Sequence, residues 1–398
     1  MTPAYLDHAS SAPLRPAARD ALVEALDAFG DPERHHTEGR RARLVLDAAR
    51  ASVAECLGAH PEEILLTASG TESVNLAVAG AARGVSPGGG RIVVTAVEHP
   101  SVSEAAYRLA DRDGFEVVEI PVDDTGRADV DRFAAEVALP GTVLASVQHA
   151  NPDVGTMHEL AEMIRVAHMH GVLAHTDACQ TVGRLPVDAR RLDADLLSLS
   201  SHKFGGPPGA GGLFVRRGLR FEAQILGDER ERRRRAGREN VPAIAGMAAA
   251  LVEAVAEIPD ESGRLWELSD RLRSGLEERV PDVQVHGHPT HRVPHIVCWS
   301  VLGLDGEQLL MALDERGIHL DTGSRCPGSS EESSFVLEAM GRDPRGSLRA
   351  SLGTATTTAD VDLVLEVLPE VVGELRRMAE VSATALDRLD DAAHTAKE

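Results

Sequence analysis

The chain predicts an α/β protein built around a mostly parallel sheet with helices on both faces. Two observations lead to this. Short apolar runs recur at 91–97, 115–122, 142–148, 172–176, 195–200 and 212–215, and helical patterns separate several of them, for example 101–112 and 158–170. Strands that alternate with helices form parallel sheets covered on both sides. A third observation fixes where the chemistry lies. Polar residues collect just after the strands: Glu98-His99, His149 to Asn151, Asp177 to Gln180, and Ser200 to Lys203. Ligands of such sheets sit at the carboxyl ends of the strands.

The elements follow in order. Residues 41–57 carry apolar side chains at helical spacing, and Gly58 stops them. The alternating strands and helices come next. Residues 246–280 read as a long helical connector broken near Pro259, because proline removes a helix hydrogen bond. Segments 283–301, 307–316 and 360–378 suggest a smaller α+β unit. The expected division is a large domain over 12–255, a small domain from 1–11 and 256–385, and a frayed polar tail at 386–398.

Composition bounds the function. Apolar residues make up 43% of the chain, ordinary for a globular protein with a sizeable core. The net charge of −22 argues against direct nucleic-acid binding, since phosphate backbones attract cations. It favours solubility and basic partners. No apolar run is expected to cross a membrane, and Met1 to Asp7 lacks a signal-peptide pattern, so a cytoplasmic location is expected. The cysteines are Cys56, Cys179, Cys298 and Cys326, with no C-x-x-C spacing, which fits a reducing compartment without a zinc ribbon. The histidines at 286, 288, 291 and 295 match no common metal site, so no metal is expected.

Lys203 ends a buried-type strand beside Ser200 and His202 and before Gly205, Gly206 and Gly209. A lysine so placed suits a Schiff base, and Asp177 on an earlier strand could hold a pyridine nitrogen protonated. Pyridoxal phosphate requires both groups. Gln180 could bond the ring hydroxyl. Gly70 and Thr71 open an apolar helical stretch, where an anion finds free N–H groups; with Ser200 and His202 they are assigned to the cofactor phosphate, although a plain N-cap explains the same residues. His99 could stack on the ring and move protons. Asn151, in an Asn-Pro turn, gains interest from its strand-end position. Cys326 lies among Gly, Ser and Pro, which predict an exposed, mobile loop, and its polar, partly cationic neighbours favour thiolate. Arg349, among small and apolar residues, could clamp a carboxylate with two parallel hydrogen bonds or form a structural ion pair. The arginine-rich run 230–238 reads as a solvated loop, or as a surface facing an anion or a partner subunit.

Taken in order, Tyr5-Leu6-Asp7, Gly30-Asp31-Pro32, Ser69-Gly70-Thr71-Glu72, Glu98-His99, Asp177-Ala178-Cys179-Gln180, Ser200-Ser201-His202-Lys203, Arg235-Ala236-Gly237, Thr322-Gly323-Ser324-Arg325-Cys326 and Leu348-Arg349-Ala350 resemble the cysteine desulfurases of the class V aminotransferase group. The resemblance implies a fold-type I pyridoxal phosphate homodimer with a seven-stranded sheet. It implies that Lys203 holds the cofactor, Asp177 its ring nitrogen and His99 its ring face. Gln180 and Asn151 would contact the ring hydroxyl or substrate, Thr71, Ser200 and His202 the phosphate, and Arg349 the carboxylate of L-cysteine. Cys326 would attack the substrate sulfur and carry a persulfide to a sulfur-acceptor protein or pathway enzyme. The chain departs from the family at Pro152-Asp153, where Asn-Glu is usual, at Arg325 and Pro327 around the cysteine, and at Arg238, where a threonine reaches the neighbouring subunit's phosphate. An alternative within the scaffold is a cysteine or selenocysteine lyase, or a related enzyme that does not use the loop thiol.

Overall fold

A computed structural model of the chain describes residues 3–323 and 334–395, with side chains described through residue 380. Its strands are β1 (Ala4–Tyr5), β2 (Ile64–Thr67), β3 (Gly90–Thr95), β4 (Phe115–Ile120), β5 (Thr142–Ser146), β6 (Leu173–Asp177), β7 (Leu196–Ser200), β8 (Gly211–Val215), β9 (Val283–His286), β10 (Ile296–Val301), β11 (Ile318–His319) and β12 (Ser347–Ser351). Its helices are α1 (Pro16–Ala25), α2 (Thr37–Cys56), α3 (Gly70–Val85), α4 (Pro100–Asp113), α5 (Val130–Val137), α6 (Leu160–Met169), a short α7 (Arg230–Arg233), α8 (Val241–Arg279), α9 (Gly306–Asp314), α10 (Phe335–Ala339) and α11 (Thr358–Thr395).

The large sheet has seven strands in the order β2-β8-β7-β6-β5-β3-β4. Only β8 runs against its neighbours, pairing antiparallel with both β2 and β7. The mostly parallel seven-stranded sheet is therefore as expected. The pleat sends alternate residues to opposite faces. On β7, Leu196 joins Val74, Val78 and Val102 of α3 and α4, whereas Leu197 and Leu199 join Leu46 and Val53 of α2 and Met247 and Leu251 of α8. Farther along the sheet, α5 and α6 pack Phe133 and Ile164 against Val93, Ala145 and Ala174. Burying a large aliphatic or aromatic side chain contributes about 1.5–3 kcal/mol. These layers therefore hold the strand ends rigidly.

A second core surrounds the antiparallel sheet β12-β10-β9 and the parallel pair β1-β11. It gathers Leu6, Leu265, Leu272, Trp299, Leu348 and Leu365. A bridge between Asp7 and Ser351 ties the N-terminal segment to β12.

Two expectations need correction. Helix α8 runs unbroken through Pro259. The proline removes a hydrogen bond, but the turns before it are anchored by Leu251 and Ala254 in one core and those after it by Leu265 and Leu268 in the other. The same helix is long and apolar enough, by composition, to cross a membrane, contrary to the sequence reading. Here its Val241, Ile244, Met247 and Leu251 are buried in the protein core. In the segment expected as a polar tail at 386–398, the backbone of α11 is helical to Thr395.

Candidate active site

The carboxyl ends of the parallel strands open into a cavity of about 330 Å³. Strand β7 ends at Ser200 and passes into a 3-10 turn, Ser201–Phe204. Gly205 closes that turn at φ +84°, a left-handed conformation that favours glycine. This brings Lys203 to the cavity wall. Its Nζ donates to the carbonyls of Ala9 at 2.6 Å and Ser10 at 3.0 Å. Burial, and then the nearby Arg349 charge, push the lysine pKa below its ordinary value. A lowered pKa enlarges the fraction present as nucleophilic amine.

Asp177, the last residue of β6, also lines the cavity, and its Oδ1 accepts the N–H of Cys179 at 3.0 Å. Gln180 lines the wall and donates Nε2 to Ala9 O at 3.0 Å.

The proposed phosphate end is built from two elements. Ser69 caps α3 by accepting the Glu72 N–H at 3.0 Å, while the N–H groups of Gly70 and Thr71, at the start of the helix, have no intrahelical partner. Ser69, Gly70 and Thr71 meet Ser200 and His202 on the same wall. Any side chain at Gly70 would put its Cβ 2.8 Å from both Cys179 Sγ and Ser200 Cβ. Ser200 Oγ and His202 Nδ1 are 3.1 Å apart. Burial and the adjacent Lys203 charge lower the His202 pKa to about 4, so this imidazole is neutral near pH 7.

His99 caps α4. Its Nδ1 accepts the backbone N–H of Ser101 at 3.1 Å, so the proton of the neutral ring belongs on Nε2. Beside it Glu98 is fully buried. Its Oε1 accepts from Thr95 Oγ1 at 2.6 Å and Gln148 N at 2.9 Å, while Oε2 has no hydrogen-bond partner among the described residues. Burial raises the Glu98 pKa to about 8, with the Asp177 charge adding to the rise.

Arg349 enters from β12, buried and on the cavity wall. Its guanidinium contacts Asp7 at 3.0 Å, Asp321 at 2.5 Å, Asp153 at 3.5 Å and Ser10 Oγ at 2.8 Å. Burial opposes its charge, but Asp321, Asp153 and Asp7 together raise its pKa.

Two expected residues lie elsewhere. Asn151 is fully buried and does not line the cavity. Its Nδ2 donates to Val97 O, and its Oδ1 accepts the N–H groups of Asp153 and Val154. It shapes the turn that carries Pro152 and Asp153 to the wall. Arg238 also lies away from the cavity of its own chain, donating to the carbonyls of Phe29 and Gly30. The arginine run is not a simple solvated loop. Arg230 is buried against Asp31, Asp228 and Glu239, and Arg235 pairs with Glu72 in the first turn of α3. Cys326, Arg325 and Pro327 lie outside the described residues.

The sequence reading missed Ala9, Ser10 and Asp321 as parts of the site, and gave no separate role to Glu98, Gln148 or Asp153. Ala9 acts through its carbonyl, which no side-chain pattern reveals. Asp321 and Asp153 sit close in sequence to expected site residues, the one signal that could have found them.

Lys203, Asp177, His99 and the start of α3 at Gly70 and Thr71 converge on one cavity. That donor set, with the close approach at Gly70, fits pyridoxal phosphate.

Comparisons with known proteins agree. The aminotransferase class-V family model matches residues 4–364. The chain is 38% identical over 379 residues to a protein named cysteine desulfurase IscS from Dictyoglomus turgidum, covering 94% of this chain and 96% of that one. It is 41% identical over 392 residues to an IscS-like cysteine desulfurase of Mycobacterium tuberculosis, covering 96% and 99%. Among solved structures, a NifS-like protein superposes with a TM-score of 0.87 at 29% identity, covering 94% of this chain and all of that one. The matched span takes in every strand and the whole cavity, and on that ground the chain belongs to the class V aminotransferase family, among its cysteine desulfurases.

Proposed function

We propose that the protein converts L-cysteine to L-alanine with pyridoxal phosphate held on Lys203, and that Cys326 takes the sulfur as a persulfide. When bound, the cofactor supplies an electron sink for the substrate α-carbon. Asp177 would hold its ring nitrogen protonated, and His99 would cover the ring. Thr71, Ser200, His202 and the start of α3 would hold the phosphate. Arg349 would take the substrate carboxylate in a two-pronged hydrogen bond. Lys203, its pKa lowered, would accept and return the α-proton. The Cys326 thiolate would form a bond to the substrate sulfur as the carbon–sulfur bond breaks. The β-carbon would gain a proton, so that one cysteine and one thiol give one alanine and one persulfide.

The observation that carries the thiol assignment concerns the other cysteines. Burial raises the pKa of Cys56 to about 11, and it drives those of Cys179 and Cys298 upward as well. None of these three is a ready thiolate near pH 7. Gly323 and Phe335, which flank the segment containing Cys326, both line the cavity.

We also propose a homodimer. Val23, Leu26, Phe29 and Leu226 are exposed large apolar side chains, and Phe29 stands beside the outward-placed Arg238. A second copy would cover the apolar residues and offer its phosphate to Arg238. A sulfur acceptor, cytoplasmic placement and the absence of membrane association complete the proposal. The net charge of −22 favours a basic acceptor surface.

The test is Cys326→Ala with L-cysteine and a reductant. Loss of alanine formation supports the assignment. Undiminished alanine formation removes Cys326 from the mechanism, and pyruvate with ammonia from the wild type identifies a lyase instead.

A further inference from the structure

Arg349 is crowded in a way that its substrate role does not require. Three carboxylates share its guanidinium, and they are not equivalent. Asp7 is 22% exposed and does not line the cavity; the segment that carries it is tied to β12 by the Ser351 N–H donating to Leu6 O at 2.6 Å. Asp153 lines the cavity but is only 14% exposed and contacts the other terminal nitrogen at the longer distance of 3.5 Å. Asp321 lines the cavity, is the most exposed of the three at 31%, and makes the shortest contact, 2.5 Å.

Its backbone is fixed to the arginine as well. Arg349 N donates to Asp321 O at 2.6 Å, and Asp321 N donates to Arg349 O at 3.2 Å. The main chain of Asp321 therefore stays beside Arg349, while rotation of its side chain would withdraw the carboxylate from the guanidinium. A guanidinium offers two parallel N–H groups to an incoming carboxylate only if a present occupant yields one. The occupant that regains water most readily is the exposed one on the cavity side. Its other oxygen, Oδ1, accepts the Thr322 N–H at 2.9 Å.

We propose that Asp321 is an internal carboxylate that competes with the substrate carboxylate for Arg349 and so sets the affinity of the site for amino acids. This rests on the reading of Arg349 as the substrate's carboxylate partner. Asp321 acts through Arg349 and takes no part in bond making. Its effect belongs in ligand affinity and in KM rather than in kcat.

The experiment measures binding of carboxyl-labelled propionate to the cofactor-loaded enzyme by nuclear magnetic resonance line broadening. Propionate carries the carboxylate but neither the amine nor the thiol, so it reports the Arg349 contact alone. Asp321→Asn and Asp321→Ser are expected to bind it about five to ten times more tightly than wild type, as loss of a partly exposed competing charge predicts. The KM for L-cysteine should fall in parallel. Asp321→Glu, which keeps the charge, should stay within about twofold of wild type. Unchanged or weaker propionate binding in both neutral variants, each shown folded by its melting curve, overturns the proposal. So does tightening in Asp321→Glu equal to that in Asp321→Asn. Arg349→Gln separates the two readings. If it binds propionate as wild type does, the carboxylate role of Arg349 fails and the proposal with it. If it loses binding while the Asp321 variants show no change, only the competition fails.

Discussion

Lys203 and Ala9 stand 194 positions apart in the chain and meet through a 2.6 Å hydrogen bond from the lysine Nζ to the alanine carbonyl. The contact joins the turn after β7 to the N-terminal segment, which is itself tied to β12 and Arg349. One short segment thus sets the position of the lysine amine relative to Arg349.

The first prediction concerns that amine. Wild-type protein given pyridoxal phosphate should take up the cofactor's colour and yield a borohydride-trapped adduct on the peptide containing Lys203. Lys203→Ala should form no adduct there and should lose cysteine turnover by at least about a thousandfold. Peptide mass mapping after reduction checks this.

Glu98 makes stability depend on pH. Its folded pKa, about 8, lies above its ordinary value of 4.5 because burial disfavours the charge. A group whose pKa is raised in the folded state stabilises most at low pH, and that contribution is lost as pH climbs through the folded value. Wild-type stability should therefore fall between about pH 5 and pH 8, apart from other titrations. Glu98→Gln should flatten this portion of the curve. Denaturant melts at several pH values are the measurement, and a Gln variant with the wild-type slope would remove Glu98 as its source.

Gly70 has no room for a methyl group. In Gly70→Ala the new Cβ meets Cys179 Sγ and Ser200 Cβ, each at 2.8 Å. Ser200 is tied to β8 and His202, so the strain should spread into the phosphate wall. Cofactor affinity should drop by about tenfold or more, with a stability cost of about 1–3 kcal/mol. Cofactor titration and thermal melting read the two effects separately.

Arg50 and Glu231 form a buried two-pronged pair at 2.6 and 2.8 Å, and Glu231 also accepts the N–H of Leu66 on β2. This pair pins the arginine-rich segment to the sheet. Arg50→Met leaves a buried carboxylate uncompensated and should cost about 3–5 kcal/mol. Adding Glu231→Gln should recover part of that loss. A denaturant double-mutant cycle measures the coupling.

Much of this site was legible in the chain. Asp177, Ser200 and Lys203 follow apolar runs with strand-like composition, and a parallel sheet brings such ends to one rim. The helix start at Gly70 and Thr71 carried its own capping residue, Ser69. What escaped the sequence depends on long-range packing. The Ala9 and Ser10 carbonyls reach Lys203 through tertiary folding, with no local pattern to announce them. Asn151 has the composition of a ligand-binding turn, but only the fold shows its amide spent on Val97, Asp153 and Val154. The run at 230–238 looked solvated because charge is read residue by residue. Its carboxylate partners Asp31 and Glu72 lie far away in sequence. Pro259 predicts a break by a local rule, and two separate cores override it.

The central claim is tested most directly by one turnover of L-cysteine labelled at sulfur, with cofactor-loaded wild-type enzyme and no reductant or acceptor. The account predicts one alanine released per labelled sulfur retained, with the label as a persulfide on the peptide containing Cys326. Pyruvate and ammonia as products, or label retained on Cys179 or another residue, would contradict it.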